Sequence, residues 1–452
     1  MTTLDTADPP RLAPGIELLG ELKDSGFAEP RSLIRRADGQ VIQLSRLLYL
    51  VASLMDGARG PQDIASAVSV ILGRTLTADQ VRYLITAKLT PLGVVAGQGA
   101  PVLPTASPLL ALRARVTLLP ERAACVAGTF LRPLFRWPVI VAVIVSVAAL
   151  DFWLFTTHGL APAFRQVLND PVDLLIVAGL TIASALFHEC GHAAGCRYGG
   201  ARPGRIGAGI YLVWPAFFTN VTDSYRLSRA GRLRTDLGGL YFNMIFMLVL
   251  AACYAATSAE ILLLVIALTH LEMLEQLLPF VRFDGYFILS DLAGVPDLFA
   301  RVVPLLRSVV SRGPKDPRVT GLRRHARIVV TGWVLCVLPL LSAGLGYLVL
   351  HLPGINRDLW RAGSWQAHLM SAAVVAHSYA MAVIDAVGFA LLALSFAGSL
   401  YITIGLARRL TSAGLRWSAG RRGRRLLLAV ASVAFLMGLA SLWTVQGQFR
   451  GW

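Results

Sequence analysis

Thr181-Ile-Ala-Ser-Ala-Leu-Phe-His-Glu-Cys-Gly-His-Ala-Ala-Gly-Cys196 closes an apolar run that begins at Val172 and carries His188-Glu189-Cys190-Gly191-His192 near its end. On a helix, residues four apart share a face, so His188 and His192 can offer two imidazoles to one metal ion. Glu189 lies beside them and can take a proton from water that the metal activates. Chance matches to this spacing are common in soluble helices. This run is hydrophobic enough to enter a bilayer, where uncompensated ionisable side chains are costly and mark function. The bland alternative is a helix whose histidines and glutamate only hydrogen-bond to neighbouring helices.

Composition agrees with a membrane setting. The 452 residues are 55% hydrophobic and 15% charged, with mean hydropathy +0.62. That is too apolar for an ordinary soluble protein and indicates a polytopic membrane protein. The net charge of +16 could suggest nucleic acid, but the arginines cluster between hydrophobic runs. That placement reads as cytoplasmic loops, so no nucleic-acid partner is expected. The five cysteines are scattered and form neither a disulfide framework nor a CxxC knuckle. Thr2 to Pro10 is acidic and polar, so no cleavable signal peptide is expected.

Residues 1–97 read as a small winged-helix-like α+β domain. Arg31 to Leu44 contains two short strands around Asp38-Gly39, a strong hairpin pair. Helical stretches follow at Arg46 to Met55, at Pro61 to Leu72, and from the cap Thr77 to Leu89. Pro61 to Leu72 has no Lys or Arg, which argues against a DNA recognition helix. A generic adaptor is the other reading. Residues 98–136 are a linker, Gly/Pro/Ser-containing to Pro108, and then an arginine-bearing membrane-surface segment.

Seven runs approach the ~20 residues that a bilayer demands. They are Pro138–Thr156, Val172–Gly195, Leu237–Thr257, Glu260–Val281, Ile328–Leu350, Tyr379–Leu406 and Leu426–Trp443. Ile206 to Val221 is apolar but short and interrupted by Pro215, so it reads as a membrane-embedded hairpin. The expected architecture is an all-α polytopic membrane protein with this hairpin and the small N-terminal domain. Segments 109–136, 197–234, 301–327 and 408–425 are arginine-rich, whereas 157–171, 257–260, 351–378 and 446–452 are poor in basic residues. The alternation predicts a cytoplasmic N-terminus in a bacterial-type cytoplasmic membrane, with the His-Glu pair towards the cytoplasm.

Two histidines need a third protein ligand for catalytic zinc, with the fourth position left for water. Asp284, in Phe283-Asp284-Gly285-Tyr286 at the end of the fourth run, is the candidate at the right depth. Its other reading is an Asp-Gly turn capping that run. Glu275 is the runner-up ligand. Cys190 and Cys196 fit small apolar packing better, and His270 and Glu272 fit a buried polar pair.

Three stretches in order resemble the site-2 protease family of intramembrane zinc metallopeptidases, in its peptide zinc metalloprotease branch. They are His188 to His192, Gly239-Leu-Tyr-Phe-Asn243, and Leu277-Leu-Pro-Phe-Val-Arg-Phe-Asp284-Gly-Tyr-Phe. The resemblance implies one zinc per chain held by His188, His192 and Asp284, Glu189 as general base, and substrate contacts from Asn243 and Gln276. Leu240 departs from the family's Pro, and Gln276 from its Asn. The motifs place the peptidase core within 137–300 and leave the C-terminal helices of 301–452 without a role. Ile42 to Gly57, Ile64-Ala65 and Pro91-Leu-Gly93 resemble the leader-recognition domain of ribosomal-peptide maturation systems. That resemblance implies a precursor peptide bound as an added strand.

The expected function is a membrane zinc metalloendopeptidase that trims a precursor or membrane-associated peptide, as in leader removal from a ribosomally made modified peptide. The competing class is a non-enzymatic immunity or peptide-export component with a structural metal site, which has no need of Glu189. Regulated cleavage of an anti-sigma-like protein is a further enzymatic alternative, but no PDZ or CBS pattern accompanies it.

Overall fold

The computed structural model describes residues 9–37, 40–97, 113–163, 166, 173–211, 214–310 and 316–447. The turn pair Asp38-Gly39 and most of the expected linker, 98–112, lie outside them.

The N-terminal part begins with strands β1 (Glu17–Glu21), β2 (Arg31–Arg35) and β3 (Val41–Ser45), antiparallel in the order β1-β2-β3. β1 is a strand the sequence reading lacks. Gly20 sits at φ +91° beside a register shift between Leu18 and Gly20, which breaks the alternation by which a strand is recognised. Ser45 caps α1 (Arg46–Ser53) by accepting from the Leu48 N–H at 3.4 Å. Next come α2 (Pro61–Leu72), with Pro at its first turn and Gly73 left-handed after its last, and α3 (Ala78–Tyr83), capped by Thr77. Ile34, Leu44, Val51, Ile64, Val68, Val81 and Leu89 form their shared core.

In the second part, β4 (Arg113–Leu119) precedes α4 (Glu121–Leu131), α5 (Trp137–Trp153) and α6 (Asp173–Tyr198). The expected hairpin consists of β5 (Ile206–Tyr211) and β6 (Trp214–Thr219). The sheet runs β4-β5-β6, so β6 is an edge. Pro215 therefore removes no hydrogen bond from a central strand. β4 lies inside what the sequence suggested was a plain surface segment.

The chain continues through α7 (Arg229–Asp236), α8 (Gly238–Thr257), α9 (Ile261–Gln276), α10 (Asp284–Ala293) and α11 (Phe299–Val310). It ends in α12 (Arg324–Val375), α13 (Tyr379–Ser418) and α14 (Arg422–Val445). Six described helices are long and apolar enough to cross a bilayer: α5 with its extension to His158, α6, α8, α12, α13 and α14. The chain is a mostly helical membrane protein on that ground.

Two expectations need correction. The fourth predicted span, Glu260–Val281, is a 16-residue helix in the structure. At ~1.5 Å per residue it covers about 24 Å, short of a ~30 Å hydrocarbon core. It ends at Leu277, two residues before Pro279, and the chain turns back there. The predicted outward loop 351–378 is helical through Val375, because α12 runs on for 52 residues, about 78 Å. α13 packs antiparallel along it, with Gln366 donating to Asp385 at 2.7 Å and Ser399 donating to Asn356 at 2.6 Å. Polar residues paired across a helical hairpin read as loop residues in one dimension.

The N-terminal part grips the helices that carry the site. Leu22, Phe27 and Leu33 share a core with Tyr286 of α10 and Trp333 of α12. The Arg232 guanidinium, wholly buried, donates to the Lys23 carbonyl at 3.1 Å and to Asp291 of α10 at 2.8 Å. Arg229 donates to the Asp24 carbonyl at 2.7 Å, and Glu17 pairs with Arg226.

Candidate metal centre

α6 and α8 run antiparallel and approach through small residues. A Cβ on Gly191 would stand 2.2 Å from the Gly238 carbonyl oxygen, and one on Gly195 would stand 2.8 Å from that of Arg234. This contact buries the inward face of α6, where His188, Glu189 and His192 are 3%, 8% and 8% exposed.

Asp284 arrives on the first turn of α10. The chain between Leu277 and Phe283 folds back so tightly that a Cβ on Gly285 would lie 2.0 Å from the Leu277 carbonyl oxygen. Trp333 of α12 holds that turn by donating its indole N–H to the Pro279 carbonyl at 2.8 Å. The fold-back puts the Asp284 carboxylate between the two imidazoles.

Three donor atoms then converge. His188 Nε2 is 3.1 Å from His192 Nε2, and Asp284 Oδ2 is 3.0 Å from the first and 3.4 Å from the second. Ligands ~2.0–2.1 Å from a tetrahedral zinc stand about 3.3 Å apart, so the spacing fits such an ion. The chemistry of the set fits too. The Thr235 carbonyl lies 2.8 Å from His192 Nδ1. A proton on Nδ1 satisfies that carbonyl and leaves the Nε2 lone pair facing the shared space. Among the described residues no other trio of His, Cys, Asp or Glu has its donor atoms grouped in this way.

The rival ligands take other places. Glu275 is exposed, and Cys196 is buried away from the trio. His270 pairs with Asp151 of α5 at 3.0 Å and not with Glu272. Asn243 is fully buried one turn beyond Gly239, with no partner for either amide atom. Gln276 is half-buried as the last residue of α9, just before the Leu277 carbonyl that Gly285 abuts.

Several neighbours of the trio escaped the sequence reading. Thr219, the last residue of β6, places its hydroxyl 2.6 Å from Glu189 Oε2 and 2.9 Å from the Glu189 carbonyl. It therefore holds one carboxylate oxygen and leaves the other free. Behind Thr235, burial lifts the Asp236 carboxyl well above the ordinary range, with the charge and hydrogen bond of Asp291 adding to the rise. Burial lifts Asp291 as well, opposed by the Arg232 guanidinium. Only the apolar strand ending at Thr219 gave any sequence hint of these contacts.

Thr219→Val keeps the shape and removes the hydroxyl. It is expected to lower turnover about tenfold with the metal content unchanged, the lower range for an outer contact of a metal site. Turnover at matched zinc checks this.

Over 117 residues the chain is 29% identical to a protein of Bacillus subtilis (strain 168) named "Putative peptide zinc metalloprotease protein YydH". The match covers 25% of this chain and 46% of that relative, so it spans about half of the relative's length. No family model matches the chain, and no solved structure does. The similarity supports a relationship to zinc metalloproteases.

Proposed function

We propose that the chain is an intramembrane zinc metalloendopeptidase of the site-2 protease kind that trims a precursor or membrane-associated peptide. The observation that carries this reading is the convergence of His188, His192 and Asp284 within 3.0–3.4 Å, beside a Glu189 carboxylate on a membrane-crossing helix. The similarity to a protein named as a zinc metalloprotease points the same way.

In this reading His188, His192 and Asp284 hold the ion. A zinc ion there supplies Lewis-acid polarisation of the scissile carbonyl and lowers the pKa of water towards ~7. Glu189 accepts the proton from the attacking water and delivers it to the leaving amine. The Thr219 hydroxyl keeps that carboxylate in one rotamer. The Asn243 amide, buried without a partner, can donate to the substrate oxygen on which charge develops. Gln276 faces the same end of the fold and contacts the substrate backbone. A substrate strand adds to the free edge of β6, which ends at Thr219 beside the base.

The N-terminal part, residues 1–97, recruits the leader of a ribosomally made peptide. Residues 98–136 link it to a peptidase core at 137–300, and 301–452 complete the helical bundle. The N-terminus and the metal centre face the cytoplasm of a bacterial-type membrane, as the arginine distribution indicates.

Metal analysis of the purified chain tests the centre. About one zinc per chain is expected, with Asp284→Ala losing it and Cys196→Ala keeping it. Full zinc in Asp284→Ala would remove Asp284 from the site. Recruitment is tested by titrating residues 1–97 with leader peptide and with duplex DNA, since this part has its own core. Saturable binding to the peptide and none to DNA is expected. Tight, salt-dependent DNA binding would defeat the reading.

A further inference from the structure

One half-buried carboxylate close to the centre has no assigned task. Glu272 lies on α9, and its Oε2 is buried without a hydrogen-bond partner. The pairing with His270 that would have explained it does not form, because His270 is engaged by Asp151 at 3.0 Å.

The packing register shows what surrounds Glu272. Gly195 lies against Thr235, Gly191 against Gly238, and His188 against Gly239. Continuing this antiparallel descent by one turn brings Ser184 of α6 to the level of Asn243 of α8. α8 and α9 turn back on each other at Ser258, where the Tyr254 hydroxyl meets Glu260 at 3.2 Å. That reversal returns Glu272 to about the same level. The charged groups around Glu272 are His188, then Glu275, Glu189 and Asp284.

Four side chains in this layer carry buried polar atoms without a partner: Ser184 Oγ, His188 Nδ1, both amide atoms of Asn243, and Glu272 Oε2. Buried polar groups are almost always satisfied, so four together need a common explanation. His188 Nδ1 faces away from the shared donor space and requires an acceptor if its Nε2 is to keep a free lone pair. For His192 that acceptor is the Thr235 carbonyl. His188 has no main-chain counterpart.

We infer that Glu272 accepts the Nδ1–H of His188 through one water shared with Ser184 and Asn243, and thereby positions His188 as a metal ligand. The inference rests on the reading in which His188 ligates zinc. The two histidines are then oriented unequally, one by a neutral carbonyl and one by a carboxylate. A carboxylate partner raises the basicity of the imidazole and fixes its ring plane.

The test uses the full chain purified in lipid nanodiscs, with zinc titrated against a chromogenic chelator. Glu272→Gln keeps the side-chain volume but loses the charge. It is expected to weaken zinc binding by about 10–100-fold, as loss of such outer partners does. Glu272→Asp retains the charge and withdraws it by one methylene, so its affinity falls between the two. Glu275→Gln, an exposed change on the same helix, binds zinc like the wild type. Wild-type affinity in Glu272→Gln, or an equal loss in Glu275→Gln, would overturn the inference alone. Absence of zinc from the wild-type chain would overturn it together with the protease reading. Should Glu272→Gln not fold, Glu272→Asp decides, and wild-type affinity there overturns the assignment.

Discussion

Glu189→Gln is expected to abolish peptide cleavage while zinc and fold remain. Glutamine is nearly isosteric with glutamate, so α6 keeps its packing against α8. The side-chain oxygen can still accept from Thr219, which lies 2.6 Å from Glu189 Oε2. What disappears is the second oxygen as a proton acceptor. A positioned general base contributes ~10²–10⁴ in rate, and the loss should reach the upper end because Thr219 also fixes this carboxylate in position. The residue is only 8% exposed, so bulk buffer has little access to replace it. Cleavage of a cognate precursor in membranes, at matched zinc content, is the measurement. Equal rates would make the His-Glu pair structural and favour the immunity or export reading. A structural zinc site needs no base.

The pieces of this site differ in how far the sequence discloses them. His188 and His192 are legible because helical periodicity alone puts residues four apart on one face. Asp284 required a depth argument, since it lies outside that helix and meets the histidines only through the fold-back between Leu277 and Phe283. A one-dimensional pattern marks Pro279 as a break but not the direction of the return. Thr219 and the Thr235 carbonyl are harder still. One is an ordinary strand residue and the other a main-chain atom, and each matters only for what stands opposite it. The same limit explains the larger departures. β1 is hidden by a bulge at Gly20, and β4 by its arginines. The long α12–α13 hairpin is hidden because its polar pairs, such as Gln366 with Asp385, resemble loop composition until the partner helix is seen. The role of the C-terminal helices also becomes partly visible, since Trp333 of α12 braces the turn that delivers Asp284.

Adding one methyl group at Gly239 is expected to empty the metal centre. Judged by helix propensity alone, Gly239→Ala should stabilise α8 by about 1 kcal/mol. Packing reverses that sign. A Cβ there would lie 2.3 Å from His188 Nε2 and within 2.6 Å of both adjacent ring carbons. It would press on the face of the imidazole at Nε2, the atom that lies 3.0 Å from Asp284 Oδ2. Relief is available by two routes. The helices can separate, but α6 and α8 are already in contact at Gly191 and Gly238, and parting them sacrifices burial along both, about 1–3 kcal/mol for overpacking of this kind. Alternatively His188 can swing aside, which moves Nε2 out of a shell only ~2.0–2.1 Å from the ion. The swing separates His188 from His192 and Asp284, and parting the helices draws His192 away from the Thr235 carbonyl that orients it. Gly179→Ala is the control, because a Cβ at that position of α6 meets nothing within 4 Å. The expected result is a folded Gly239→Ala chain with sub-stoichiometric zinc and no cleavage, next to a Gly179→Ala chain that keeps both. Circular dichroism and metal analysis on the same samples separate the outcomes. Full zinc and normal cleavage in Gly239→Ala would mean that the His188 imidazole does not rest on α8, and the geometry of the centre would have to be redrawn.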